Sequence, residues 1–288
     1  MTVHRLIGSP LAAIIFLVTA GTVSAQTQKE LLDELDRTIE EAESYVSAKE
    51  LRIKTIENTL HSRGVSPERQ YRIYGELFDE YQPFNYGKAV ETLDKQMEIA
   101  MLLGDKSKLN DVYLKEAMLN TAAGEFLEAR NDLARVDTTI FTKEQEIAYC
   151  NVQQRFWFDY DENLKGADKS MLRKVAYYRE RLLALADPSS SLSRYVTVRK
   201  YIDEKYFAQA DFINRHSLSR MDPASHDYAN LAYFQARICE SLNRREEMKN
   251  WFIRSAMADI KTATKDKAPA GDEVPTEEKV PTEEKTDA

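Results

Sequence analysis

The 288-residue chain has little of what makes tight turns, with 9 glycines and 8 prolines. So few turn-makers exclude an architecture of many short strands joined by hairpins, and favour helices. Cysteine is scarce too. Cys150 and Cys239 are too few for a disulfide framework. Both sit within apolar helical patterns, so two small buried side chains are expected, with a bridge between them as the alternative. Basic charge is nowhere concentrated. Lys and Arg number 40 against 48 Asp and Glu, and the net charge is −8. Phosphate binding needs clustered cations, so this balance argues against nucleic acid as a partner.

Chemical signatures are missing as well. Of four histidines, His4 lies in the first residues, and His61, His216 and His226 fall near helix ends or loops. No His-Glu-x-x-His, Cys-x-x-Cys, Gly-x-Ser-x-Gly, phosphate-binding loop or dinucleotide glycine cluster occurs. Acidic pairs such as Asp33-Glu34 and Glu40-Glu41 read as solvated helix faces. No catalytic, metal-binding or cofactor-binding residue is assigned, and no cofactor is expected. Hydrolysis of an envelope polymer by paired carboxylates is kept as a third reading.

What is present begins with an address. Residues 1–25 have Arg5, an apolar stretch from Leu6 to Ala20, and Val23-Ser24-Ala25 with small residues where signal peptidase cuts. Cleavage after Ala25 into a periplasmic or otherwise exported protein is expected. A membrane association would follow only if this segment were retained, since the run is short of the roughly 20 residues a span needs.

From Lys29 to His61 no Pro or Gly interrupts the chain. Leu32, Leu35, Ile39, Ala42, Val46, Ile53, Ile56 and Leu60 step by threes and fours, with Lys49 at the one missing position. This predicts a long helix (domain bounds 26–64) with a heptad seam. It packs either along its own chain or against a second copy, giving a homodimer through residues 29–61. Lys49 and Ala42 weaken the seam and favour the first. Arg63-Gly64 ends the helix, and Ser66-Pro67 opens the next with an N-cap and a proline at the first helical position.

Beyond it, one element recurs at helix starts: Tyr86-x-x-Ala89, Gly124-x-Phe126-x-x-Ala129 and Phe207-x-x-Ala210. An aromatic fills the hairpin and a small alanine lets two backbones approach. That is the logic of the tetratricopeptide repeat, a helix hairpin of roughly 34 residues that stacks on its neighbours. The register divides residues 65–262 into five hairpins: 66–104, 106–136, 142–186, 190–219 and 224–262. The predicted fold is all-α, a tetratricopeptide-like α-solenoid of about five hairpins preceded by a long helix. Residues 263–288 hold Pro269, Pro275 and Pro281 and repeat Val-Pro-Thr-Glu-Glu-Lys at 274–279 and 280–285. Alone, such a segment buries too little apolar area to offset its ordering entropy, so a disordered acidic tail is expected.

Three stretches, Leu31-Leu32-Asp33-Glu34-Leu35-Asp36-Arg37-Thr38-Ile39, Tyr81-Gln82-Pro83-Phe84-Asn85-Tyr86 and Ser255-Ala256-Met257-Ala258-Asp259-Ile260-Lys261, carry a resemblance. The chain resembles the exported sensor region of a bacterial envelope regulator family of unknown function, over roughly residues 27–265. In that family, tetratricopeptide-like repeats precede a membrane span and a cytoplasmic DNA-binding part. Here the acidic tail stands where the span would come, so the resemblance implies the exported repeat module alone.

In the first hairpin Tyr71, Tyr74, Phe78 and Tyr81 share one helix face. Core packing is the plain reading; the alternative is a concave aromatic groove for a protein or peptide, because solenoids bind along their inner helices. By the same register Asp111, Leu114 and Met118, then Tyr195 and Arg199, then Tyr233 and Arg237 would line that groove. The function expected is a protein-binding or scaffolding module, with a signalling role implied by the resemblance. The alternative is a structural protein that self-associates through its first helix.

Overall fold

The computed structural model describes residues 28–83, 85–166 and 169–265. The segment read as a signal peptide and residues 266–288 of the tail lie outside them, while residues 263–265, expected to begin the disordered tail, continue the last helix. Among the described residues the chain forms twelve α-helices and one short 3-10 turn at Thr138–Ile140, with no strand. After α1 (Gln28–Glu40) and α2 (Ala42–Leu60) come five hairpins: α3 (Pro67–Tyr81) with α4 (Tyr86–Leu103), α5 (Lys106–Ala123) with α6 (Phe126–Arg135), α7 (Lys143–Asn163) with α8 (Lys169–Leu185), α9 (Ser191–Asp203) with α10 (Phe207–Leu218), and α11 (His226–Ser241) with α12 (Arg245–Lys265). This is the five-hairpin α-solenoid that the repeat pattern predicts.

Local chemistry sets the helix ends. The side chains of Ser66, Asp105, Thr142, Ser190 and Ser225 each accept a hydrogen bond from a backbone N–H in the first turn of the following helix, which satisfies a donor that the helix leaves unpaired. Gly104 and Gly124 close α4 and α5 with φ of 62° and 81°, a left-handed conformation that favours glycine. The same turn recurs at Lys205 (φ 63°) and Asn243 (φ 58°), each two residues before the next helix. Tyr86, Phe126 and Phe207 start the second helices of their hairpins. Ala89, Ala129 and Ala210, three residues on, are fully buried.

The N-terminal segment differs from the single helix expected. It is broken at Glu41, and its parts rest on different supports. α1 packs on α12, while α2 packs on both α12 and α3. The inward stripe is also displaced in the first half. Leu31, Thr38, Lys49 and Ile53 are buried, while Leu32, Ile39 and Val46, predicted for the seam, are exposed. Across the turn at Glu41 the inward face shifts by one residue, so that Leu31 and Thr38 of α1 stand inward where Leu32 and Ile39 were expected. Lys49, the polar gap in the seam, lies 3.9 Å from Glu80 of α3, whose carboxylate also takes Arg52 at 3.3 Å.

The contacts run in a circuit. Each hairpin packs on the next, and α1–α2 joins the last hairpin to the first, with Lys261 Nζ donating to Glu34 across 3.3 Å. Cys150 and Cys239 are buried free thiols. No helix among the described residues is long and apolar enough to cross a membrane.

Where α4, α5 and α6 meet, one cation serves two acids. Arg135 lies 3.4 Å from both Glu116 and Asp132 and covers the ring of Tyr113. Burial, reinforced by the charge of Asp132 and only partly offset by Arg135, pushes Glu116 up to about 7. A carboxyl whose folded value lies above its unfolded one costs stability as pH rises between the two. The loss begins near the unfolded value of about 4.5 and is complete above about 7. Wild-type stability should therefore fall from pH 5 to pH 8, by on the order of 2 kcal/mol through this group. Glu116→Gln should flatten that part of the curve. Urea midpoints measured across this range would refute the assignment if the two proteins gave parallel profiles.

Candidate binding cleft

The first helices of the hairpins share one side of the array, and four of them line a cavity of about 430 Å³. α5 contributes Met118; α7 contributes Asn151, Gln154 and Arg155; α9 contributes Ser191, Leu192 and Tyr195; α11 contributes His226, Asp227, Asn230 and Leu231. The lining mixes apolar and aromatic surface with amide groups that both donate and accept. Burial opposes the charge of Arg155, but its hydrogen bond to Asp159, at 2.5 Å, keeps the guanidinium protonated.

The cleft is held by packing behind it. The ring of Tyr195 lies 5.1 Å from that of Phe234. Val152 and Phe156 of α7 pack with Leu114, Ala117, Ala129 and Leu133 of the second hairpin. Asn214, fully buried, donates to the carbonyl of Leu231 and to Gln235, whose amide donates in turn to Asp211. This polar network ties α10 to α11 through the amide nitrogen of Asn214, while the Asn214 Oδ1 is buried without a hydrogen-bond partner among the described residues.

Of the residues proposed for a groove, the structure brings Met118 and Tyr195 into this cleft. Arg199, one turn beyond Tyr195, has its guanidinium 4.1 Å from the ring centre of Phe158 and is ion-paired with Asp203. Tyr233 and Arg237 lie on the exposed side of α11, Tyr233 against Phe252 and Arg237 paired with Glu240. Asp111 accepts a hydrogen bond from Gln145, and Leu114 is buried.

The first-hairpin aromatics correct the groove expectation. Tyr71 and Phe78 are 8% and 4% exposed and belong, with half-buried Tyr74, to the core of the first hairpins. Tyr71 donates its hydroxyl to the carbonyl of Lys108, and Lys115 lies over the Phe78 ring. The spacing that put these rings on one face records a core stripe.

Sequence reasoning missed Asn151, Gln154, Arg155, His226, Asp227 and Asn230. Polar residues on a helix surface look alike whichever side they take, and only the stacking of α7, α9 and α11 shows which side is enclosed. No group of His, Cys, Asp and Glu among the described residues could hold a metal ion.

Five stacked helix hairpins, with buried alanines at their crossings and a cleft along their first helices, define a tetratricopeptide-type solenoid, a protein-interaction fold. The chain belongs to the family described as the SusR N-terminal TPR domain, whose sequence profile matches residues 39–269. It is thus a repeat-containing sensor region of a regulator family. A comparison with curated proteins finds no match.

Proposed function

We propose that the chain is an exported, non-catalytic module that binds an extended protein segment in the cleft between α5, α7, α9 and α11, as the sensor part of an envelope signalling system. The composition of the cleft carries this reading. An extended chain brings unpaired backbone N–H and C=O groups that need partners once covered. Asn151, Gln154 and Asn230 can supply both donor and acceptor. Met118, Leu192, Tyr195 and Leu231 offer adaptable apolar contact for its side chains. Asp227 is the one carboxylate among the described lining residues, which supports binding over hydrolysis. The cleavage pattern at residues 23–25 supports export. Intrachain coverage of Leu31 and Ile53 supports a monomer over self-association through residues 29–61.

A photoreactive side chain at Asn230, with the same group at exposed Gln209 of α10 as control, tests the reading in intact cells. The Asn230 version should give a discrete protein adduct that the Gln209 version lacks, and the cross-linked chain should begin at Gln26. Equal adducts from both positions, or a chain that retains Met1, would count against it.

A further inference from the structure

We infer that the groove between α7 and α8 docks the chain's own C-terminal segment, through a Val-Pro-Thr-Glu-Glu stretch of residues 274–284. The groove encloses about 460 Å³ and is separate from the cleft. Gln153 and Trp157 of α7 and Ser170, Arg173, Lys174, Tyr177 and Tyr178 of α8 form it.

Its aromatic floor is fixed. The indole N–H of Trp157 donates to Gln153 Oε1 at 2.9 Å, and Gln153 donates to the hydroxyl of Tyr149 at 2.8 Å. Tyr178 packs edge-on against both Tyr149 and Tyr177, and Tyr177 remains 59% exposed. The rim is cationic. The ion pairs of α7 and α8 are made by Arg155, Arg179, Glu180 and Arg181. Neither Arg173 nor Lys174 is in one among the described residues, and both are exposed. The ammonium of Lys174 rests 3.4 Å from the centre of the Trp157 ring, within a side-chain swing of an incoming carboxylate.

An occupant suited to this surface is extended, brings proline to the rings and places carboxylates at the rim. Prolines stack on Trp and Tyr with little loss of entropy, because the polyproline II conformation is already preferred. Residues 267–288 answer each requirement. They contain seven Asp and Glu against three Lys, a net of −4, and the unit Val-Pro-Thr-Glu-Glu-Lys twice. The dimensions agree. From Ser170 to Tyr178 the helix rises roughly 12 Å, and the four steps from Val to the second Glu of one unit span roughly 12 Å in polyproline II. One unit therefore fills the groove, and the sequence supplies it twice, at 274–279 and 280–285. Four helix spacings of ~10 Å separate α12 from α8. Residues 266–280 reach up to roughly 50 Å when extended, so the second copy can dock within its own chain.

A nitroxide on Thr282→Cys in the full chain tests this, since the native cysteines are buried. The readout is paramagnetic broadening of the two indole N–H resonances, Trp157 and Trp251, assigned with Trp251→Phe. The Trp157 signal should lose several-fold more intensity than that of Trp251 and keep that loss on tenfold dilution. Arg173→Glu with Lys174→Glu, and separately Pro275→Ala with Pro281→Ala, should each restore the signal while leaving the helical circular dichroism unchanged. An unbroadened Trp157, broadening that survives both double substitutions, or broadening that disappears on dilution would each overturn intrachain docking.

Discussion

Ala129→Glu should destabilise the protein by more than about 2 kcal/mol, because it both overpacks a helix crossing and buries an unpaired charge. Ala129 is fully buried on α6, and its cluster joins α5 and α6 to Val152 and Phe156 of the third hairpin. The damage should therefore spread across two hairpins. Arg130→Glu, one residue on and exposed, is the control that adds the same carboxylate to solvent. Denaturant unfolding followed by circular dichroism should give a clearly lower midpoint for Ala129→Glu alone. A midpoint equal to that of the control would mean that the repeat register is misplaced.

The second large effect concerns the join between the two ends. Leu31 is fully buried on α1, which packs against α12. Leu31→Ala should cost about 2–4 kcal/mol, the usual range for emptying a buried leucine site. The loss should also be local in a telling way. Amide hydrogen exchange should accelerate in α1 and in α12, far apart in sequence, before it changes in α5 or α7. Unaltered protection in α12 would show that α1 lies on the last hairpin without bracing it.

The parts of this fold that could be read from the sequence are those that a single hairpin must encode. An aromatic followed three residues later by alanine, as at Phe126 and Ala129 or Phe207 and Ala210, is required wherever two helices cross closely. Ser66-Pro67 and Gly124 mark ends by their own backbone preferences. The turns at Lys205 and Asn243 could not be read in this way, because neither residue announces a left-handed conformation as glycine does. The break at Glu41 left no mark either, since no Pro or Gly stands there and the change beyond it is that α2 meets α3 as well as α12. The inward stripe of α1 falls on Leu31 and Thr38, one residue before the expected Leu32 and Ile39, because that break separates it from the seam of α2. The cleft was half legible. Met118 and Tyr195 follow from the repeat register, but Asn151, Gln154 and Arg155 lie on α7, in a hairpin that carries no copy of the aromatic–alanine element.

The bond between Glu34 and Lys261 spans 227 positions of the chain, and this sets an order of events during synthesis. Hairpins made of neighbouring helices can form as each emerges, because their contacts are local and loop closure costs little. α1 emerges before any of them, yet its support on α12 is made last. Until then Leu31 faces water beside Asp33, Glu34 and Asp36, whose charges disfavour premature association between nascent copies. A copy cut short anywhere before α12 would keep that end bare and open to proteolysis, so the docking of α1 marks an array that is whole.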